Sequence, residues 1–561
     1  MYRSRYGSGS ILGSFLLLFC VAACATQSSP TDTGAGPGDQ PPGDTPAPPG
    51  APPGATGTGC AVSKKGTAGL VIQGRILGAD GPLDGEVQID GSGKITCVAA
   101  SCAQTAGYGD ATVLACGGGV VSPGLINAHD HTEYATRGPV PHATTRWDHR
   151  NGWRTGAGGE TKLSEPTSTT DAKIIAAAEL RFLMGGATSV NGSGGVPGLM
   201  RNVANYMDKT QLEGLSGPSV FFDTFPLGDS NGTELTTGCG YPKVRSASSA
   251  FAGGAVYSPH ISEGINPAAE NEFECLKGSL VTNKTGIIHG VGLNAKDVDV
   301  IAKAGAKLIW SARTNVDLYG NTASITVYKN MGVTIGLGTD WLASGSMNML
   351  RELACVDSLN QKYFDKAFDD RALVDMATKG SAAALGLDAQ VGELAVGKLA
   401  DIAIFSSATQ KDYRAVIDAG VEDVLLVLRG GKPLYGDETI ISALAQSCSE
   451  LDVCGTKKSV CVDTAGVTLA NIQSAASSTY PLFFCKTETP KDEPSCVPYR
   501  DTYPMGTSAT DRDGDGIPDA MDICPAIFDP PRPLDGTKQA DSDGDGVGDA
   551  CDAKPLDANA H

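Results

Sequence analysis

Basic residues are in short supply in this chain of 561 residues: 43 Lys and Arg stand against 63 Asp and Glu, for a formal charge of -20. Nucleic acid and anionic membrane surfaces both reward Lys and Arg, so neither is expected as the main partner. Much of the acidity falls in the last stretch of the chain, which makes it a property of the tail more than of the whole. Long apolar runs are missing too. Beyond the N-terminus nothing approaches the roughly 20 consecutive apolar residues that span a bilayer. The sixteen cysteines form no convincing zinc-ligand or CxxC spacing. Histidine numbers only seven, so the placement of each one is informative.

What is present begins with Arg3 and Arg5, an apolar run from Ile11 to Phe19 and then Val21-Ala22-Ala23-Cys24. This is the pattern of a signal peptide, too short for a spanning helix. Small residues directly before a cysteine resemble the bacterial lipobox, which implies lipidation of Cys24, a lipid anchor to a bacterial membrane and a body in the cell envelope outside the cytoplasm. Disulfides persist in such a compartment. Close spacing suggests Cys97 with Cys102, Cys485 with Cys496, and pairing among Cys448, Cys454 and Cys461. Pro, Gly, Thr and Ser then dominate a flexible tether.

From Gly69 short alternating runs broken by Gly-rich turns read as strands and hairpins, and similar runs return at Ile402–Phe405 and Val424–Val427. Between them, strand-like and helix-like segments alternate as in parallel βα units. Seven barrel strands are legible, at 124–127, 187–190, 220–222, 255–257, 286–288, 307–310 and 333–337. A closed barrel needs eight, so one is either atypical or hidden in the irregular stretch between Asn191 and Gly217. The expected class is α/β. Its organisation is a lipoprotein signal peptide (1–23), a tether (24–66), a composite β-sandwich (67–122 and 388–445), a (β/α)8 barrel (123–387), a Cys-rich segment of unassigned fold (446–505) and an acidic repeat tail (506–561).

Four histidines end predicted strands. His129 and His131 are two residues apart, which puts both imidazoles on one strand face. His260 ends its run, and Glu263 can converge on it only if the chain turns after the histidine. His289 and Asp340 end two further strands. All lie at the carboxyl ends, the face on which barrel enzymes build their sites. Three imidazoles and a carboxylate, His129, His131, His260 and Asp340, suit one catalytic Zn²⁺ or Fe²⁺. His142, His149 and His561 carry no such pattern and are expected to face solvent.

Pro123-Gly124-Leu125-Ile126-Asn127-Ala128-His129-Asp130-His131 resembles the first-strand metal motif of the amidohydrolase superfamily, and Leu337-Gly338-Thr339-Asp340 its last-strand aspartate. The segment from Gly392 to Ile402 resembles that family's return into its β-sandwich. His260-Ile261-Ser262-Glu263 with His289, and Ser311 to Gly320, are similar to the mononuclear branch that holds chlorohydrolases and deaminases. No lysine is placed to bridge two metals at the end of the fourth strand. The resemblance implies catalytic roles for three residues: Asp340 takes a proton from metal-activated water, His289 orients the water or polarises the attacked centre, and Glu263 protonates a substrate nitrogen. It implies a small-molecule substrate and hydrolysis of a non-peptide carbon–nitrogen bond, by deamination of a nitrogen heterocycle or opening of a cyclic amide. A dinuclear amidase or peptidase of the same fold and a non-catalytic surface binder are the alternatives.

In the tail, Asp511, Asp513, Asp515, Asp519 and Asp522 recur as Asp541, Asp543, Asp545, Asp549 and Asp552, with glycines at the sixth positions. Carboxylates at this spacing follow the oxygen-ligand logic of a Ca²⁺ loop. The pattern resembles thrombospondin type 3 repeats.

Overall fold

The computed structural model describes residues 59–204, 212–216, 220–445, 447–462 and 467–560. The signal-peptide stretch, Cys24, most of the expected tether and His561 lie outside the described residues. Eighteen strands follow in order among the described residues: β1 (Ala61–Lys64), β2 (Leu70–Gly78), β3 (Gly81–Ile89), β4 (Ile95–Ala99), β5 (Thr112–Pro123), β6 (Leu125–Asp130), β7 (Ala187–Gly192), β8 (Arg201–Asn202), β9 (Val220–Asp223), β10 (Val256–Ile261), β11 (Gly286–His289), β12 (Lys307–Trp310), β13 (Ile335–Leu337), β14 (Ile402–Ser406), β15 (Val424–Arg429), β16 (Lys432–Asp437), β17 (Ser449–Val453) and β18 (Thr456–Val460).

Strands β6 to β13 are short, parallel and buried on both faces, the pattern of a sheet covered by helices. They form two runs, β13-β12-β11-β10-β9 and β6-β7-β8. Backbone hydrogen bonds join the runs at both ends: Val220 N–H donates to Val203 O (3.2 Å) beside β8, and Asp340 N–H donates to His129 O (2.9 Å) beside β13. The result is a TIM-barrel-like α/β fold. Its eighth strand is β8, in the stretch the sequence left open, and it is only two residues long. Helices Ala172–Met184, Pro267–Leu276 and Ala295–Ala304 are capped by Asp171, Asn266 and Asn294, whose side-chain oxygens accept the first free N–H groups.

The strands flanking the barrel join in one ten-stranded path, β17-β18-β16-β15-β14-β5-β2-β3-β4, with β1 on β5. Ile72, Val87, Leu114, Val121, Ile404 and Leu426 fill its core. The tether does not extend to residue 66 as expected, because β1 and the Cys60–Cys116 disulfide already belong to this sheet. The Cys-rich segment, to which the sequence assigns no fold, adds β17 and β18 to the sheet edge, and Arg181 of the barrel holds the carbonyls of Tyr480 (2.6 Å) and Pro481 (3.0 Å).

Every described cysteine is in a disulfide. Cys97–Cys102 and Cys448–Cys461 match the sequence expectation. Cys485 instead pairs with Cys454, and Cys496 with Cys355 across 141 residues, because the chain after β18 folds back over the barrel and brings distant cysteines together. Cys239–Cys275 and Cys524–Cys551 complete the set. Among the described residues no helix is long and apolar enough to cross a membrane.

Candidate metal centre and active site

His129 in β6 and His131 directly after its end, two residues apart, turn to one point, with their Nε2 atoms 3.3 Å apart. His260, at the end of β10, brings its Nε2 to 3.1 Å from that of His129 and 3.3 Å from that of His131. Asp340 Oδ1 lies 3.5 and 3.6 Å from the same two nitrogens. A tetrahedral site with metal–nitrogen bonds near 2.0–2.1 Å has edges of about 3.3 Å, so this donor set fits a transition metal.

Each imidazole is held through its other nitrogen. Nδ1 of His129 meets Ser311 Oγ (2.8 Å), that of His131 meets Ser193 Oγ (3.3 Å), and that of His260 donates to the Asp223 carbonyl (3.2 Å). Such partners set the tautomer and leave Nε2 lone pairs facing the centre. Burial, and for His129 and His260 the neighbouring histidines, pushes these imidazoles toward the neutral form a metal requires. Burial, with Glu263 and Asp130 nearby, pushes the Asp340 carboxyl well above the usual carboxylate range. A cation at the centre would relieve that cost. Gly338 is needed for the approach of β13 to β6, since a Cβ there would lie 2.5 Å from His129 Cβ and 2.6 Å from its N.

Glu263 reaches the site because the chain turns immediately after β10. Ser262 takes φ 55 and Gly264 φ 156. Oε1 of Glu263 accepts the Tyr319 hydroxyl (2.7 Å), and Oε2 lies 3.5 Å from His289 Nε2 and 4.0 Å from Arg150 Nη1. Burial raises its pKa against the opposing charge of Arg150 and the Tyr319 bond. Asn315 donates to His289 Nδ1 (3.4 Å), which leaves the proton of that imidazole on Nε2, facing Glu263.

Several groups that build this geometry carry no site pattern in the sequence. Tyr319 itself accepts the indole N–H of Trp153 (2.9 Å). Arg150 is buried against Asp229 (2.5 Å) and Glu272 (3.5 Å). Asp130, between the two metal-motif histidines, is pushed up to about 8 by burial and accepts the Thr339 hydroxyl (2.6 Å). A cavity of about 210 Å³ opens over the centre. Tyr134, Trp153, Phe225 and Trp341 line it, with Trp153 and Trp341 centroids 5.3 Å apart.

Two histidines expected at the surface are not there. His149 is buried between Glu272 (3.2 Å) and Glu234 (3.3 Å), directly before the helix Arg150–Thr155. His142 contacts Asp317 (2.7 Å) and packs on Trp147. Both contacts come from chain segments distant in sequence.

The tail carries three groupings of acidic oxygens within 4.8 Å of one another: Asp511, Asp513 and Asp515; Asp515, Asp522 and Asp529; and Asp541, Asp543 and Asp545. In both repeats the first aspartate accepts N–H groups from glycines at positive φ, Gly514 and Gly516, then Gly544 and Gly546. Asp519 and Asp549 fall outside the groupings. Asp519 is turned to Arg512 (2.8 Å) and Asp549 to Ser542 (2.8 Å). Asp552 is also apart, accepting from Lys554 N–H. Asp529 enters instead, from beyond the repeat spacing. Burial and like charges raise Asp513 to about 8, and burial first, then like charges, raises Asp515 to about 7, a penalty that a hard cation would remove.

Residues 259–434 match the amidohydrolase family profile. They include His260, Glu263, His289 and Asp340, while His129 and His131 lie upstream. Residues 509–530 and 540–555 match the thrombospondin type 3 repeat. A 5-methylthioadenosine/S-adenosylhomocysteine deaminase from Halobacterium salinarum is 32% identical over 187 residues, 29% of this chain and 42% of the relative. Guanine deaminase from Homo sapiens is 33% identical over 127 residues, 22% and 28% of the two chains. The matches thus span less than half the length of these relatives. Among solved structures, a triazine hydrolase variant aligns with TM-score 0.53 and 19% identity over 74% of this chain and 99% of its own. Atrazine chlorohydrolase from Arthrobacter aurescens complexed with zinc aligns with TM-score 0.51 and 19% identity over 73% and 100%. At these identities the likeness is one of fold.

Proposed function

We propose that this chain is a mononuclear metal-dependent hydrolase of amidohydrolase type that acts on a carbon–nitrogen bond of a nitrogen heterocycle, outside the peptide class. The observation that carries the reading is the approach of His129, His131 and His260 to one another and of Asp340 to His129 and His131, with Glu263 and His289 beside them under an aromatic cavity. The deaminase relatives favour deamination over opening of a cyclic amide.

The three imidazoles and Asp340 would hold Zn²⁺ or Fe²⁺, which supplies Lewis acidity and lowers the pKa of water toward about 7. The residues of the chain do the rest. Asp340 accepts a proton at its carboxylate and passes it to the leaving nitrogen. Glu263, whose proton is favoured by burial, delivers it to a ring nitrogen. His289 donates from Nε2 to the oxygen of the attacking water, or to a heteroatom of the substrate beside the attacked carbon, and so orients the one or polarises the other. Trp153, Trp341, Tyr134 and Phe225 take the ring faces and exclude water. Glu263→Gln keeps the shape and removes the acid. Ammonia release from a panel of heterocyclic amines by the metal-loaded chain should fall by about 10²–10⁴-fold in this variant. No ammonia release from any amine, with no ring opening of cyclic amides, would sink the proposal.

The signal-peptide pattern, the small residues before Cys24 and the seven disulfides support a lipid-anchored protein of the bacterial envelope. The two Asp-Gly loops support Ca²⁺ binding in the tail.

A further inference from the structure

The tail is not an appendage beside the barrel. Phe528 N–H donates to Tyr363 O (2.8 Å), and the Phe528 ring packs on Tyr363 and Tyr503. Four residues later Arg532, buried at 5% exposure, donates from Nη1 to the carbonyls of Val291 (3.0 Å) and Leu293 (3.0 Å). These are two and four residues past His289. Asp535 grips the other side of the guanidinium through Nε (2.7 Å) and Nη2 (3.0 Å). Leu534 N–H donates to the carbonyl of Ile265 (3.2 Å), two residues past Glu263.

The two loops so touched are already tied to each other. Gly290 N–H donates to Ile261 O (3.1 Å) and Gly292 N–H to Ser262 O (3.0 Å). One segment of the tail therefore holds the backbone behind both Glu263 and His289.

That segment begins at an acidic cluster. Asp511, Asp513 and Asp515 overlap with Asp515, Asp522 and Asp529 through their shared aspartate. Asp513 is only 1% exposed, and its Oδ2 has no hydrogen-bond partner although its ligand oxygen sits among those of Asp511 and Asp515. Oδ2 of Asp522 and of Asp529 are likewise buried without a partner. Such orphaned carboxylate oxygens cost free energy unless a cation takes them. Oxygen-only ligands at this spacing suit Ca²⁺, with bonds of about 2.3–2.6 Å. Asp529 connects to Arg532 through Pro530 and Pro531, whose fixed φ makes a stiff spacer.

We infer that a hard divalent cation bound in this cluster, at Asp515 with Asp511 and Asp513 on one side and Asp522 and Asp529 on the other, sets the positions of Glu263 and His289 through Arg532, which is thereby a positioning residue for the site. Without the cation, repulsion among these carboxylates loosens the segment and frees the two loops. The consequence for turnover rests on the catalytic roles proposed above, whereas the mechanical linkage does not.

The test uses the full chain with its transition metal in place, freed of calcium by gel filtration and then titrated with calcium chloride. Amide hydrogen exchange is followed in residues 262–266 and 289–294, calcium binding by calorimetry, and kcat and KM by ammonia release. Calcium should slow exchange in both loops by about ten-fold or more, and should raise kcat with KM unchanged. Asp529→Asn should lose both responses. Arg532→Leu should still bind calcium but lose the loop response, and Arg532→Lys, which keeps a cationic donor for the two carbonyls, should restore it. The inference is overturned if calcium fails to bind, if it protects the tail and leaves both loops unchanged, or if Arg532→Leu keeps the loop response. A loop response without any ammonia release would uphold the linkage and overturn the catalytic reading alone.

Discussion

Tyr319 donates its hydroxyl to Oε1 of Glu263 at 2.7 Å, on a helix that follows a different barrel strand from the one that carries the glutamate. Trp153 fixes the tyrosine in turn. The carboxyl is thus aimed by a neighbour that contributes no metal ligand, and its free Oε2 turns to His289 and the cavity.

Tyr319→Phe should therefore leave metal content unchanged while lowering kcat. A hydrogen bond to a charged or charge-sharing group contributes about 1.5–3 kcal/mol, so the loss should be about 10- to 100-fold. Steady-state kinetics beside elemental analysis of the same preparation decides this. Unchanged kcat would remove Tyr319 from the positioning of Glu263.

His149 provides a prediction in pH. Burial alone would lower its pKa, but Glu234 and Glu272 outweigh burial and hold it at about 9, above the ordinary 6.5. A raised folded-state pKa means the charged form is favoured by folding. Its contribution is full below about 6.5 and is lost as pH rises through about 9. Melting temperature measured from pH 6 to 10 should fall across that window in the wild type and fall less in His149→Gln. Parallel curves would show that His149 carries no such linkage.

Gly338→Ala tests the contact between the first and last barrel strands. A Cβ would meet backbone and side-chain atoms of His129 at 2.5–2.6 Å, which only a backbone shift can relieve. Overpacking of this kind costs about 1–3 kcal/mol, and here it displaces a proposed ligand. Thermal unfolding and metal analysis should both register the change. Full metal occupancy at wild-type stability would mean that the strands part more easily than the packing implies.

How much of this was legible in the sequence depends on how local each cause is. His129 and His131 follow the two-residue period of an extended segment, and Asp340 follows the end of another strand, so pattern alone sufficed to expect their side chains at the same end of the barrel, where they meet. Glu263 was legible only as a conditional, because its convergence needs the turn at Ser262 and Gly264. Strand β8 was not legible, since two residues carry no periodicity. Arg150 and Trp153 act through contacts between segments far apart in the chain, and nothing local marks them; Tyr319 lies in the segment Ser311 to Gly320 that the resemblance marks, but its bond to Glu263 forms only in three dimensions. The same holds for Cys355 with Cys496 and for β17 and β18, whose partners are set by how the chain returns over the barrel. In the tail the repeat spacing found Asp511, Asp513, Asp515 and Asp522, but Asp529 lies past the repeat and joins only in three dimensions.

The most direct test of the central claim is the transition-metal content of the purified chain, measured by elemental analysis for the wild type and for His260→Ala. Nε2 of His260 closes the triangle with His129 and His131 at 3.1 and 3.3 Å, so its loss should open the site. About one zinc or iron per wild-type chain is expected, and almost none in the variant, with its calcium content unchanged. No tightly held transition metal in the wild type, or two per chain, would contradict that claim.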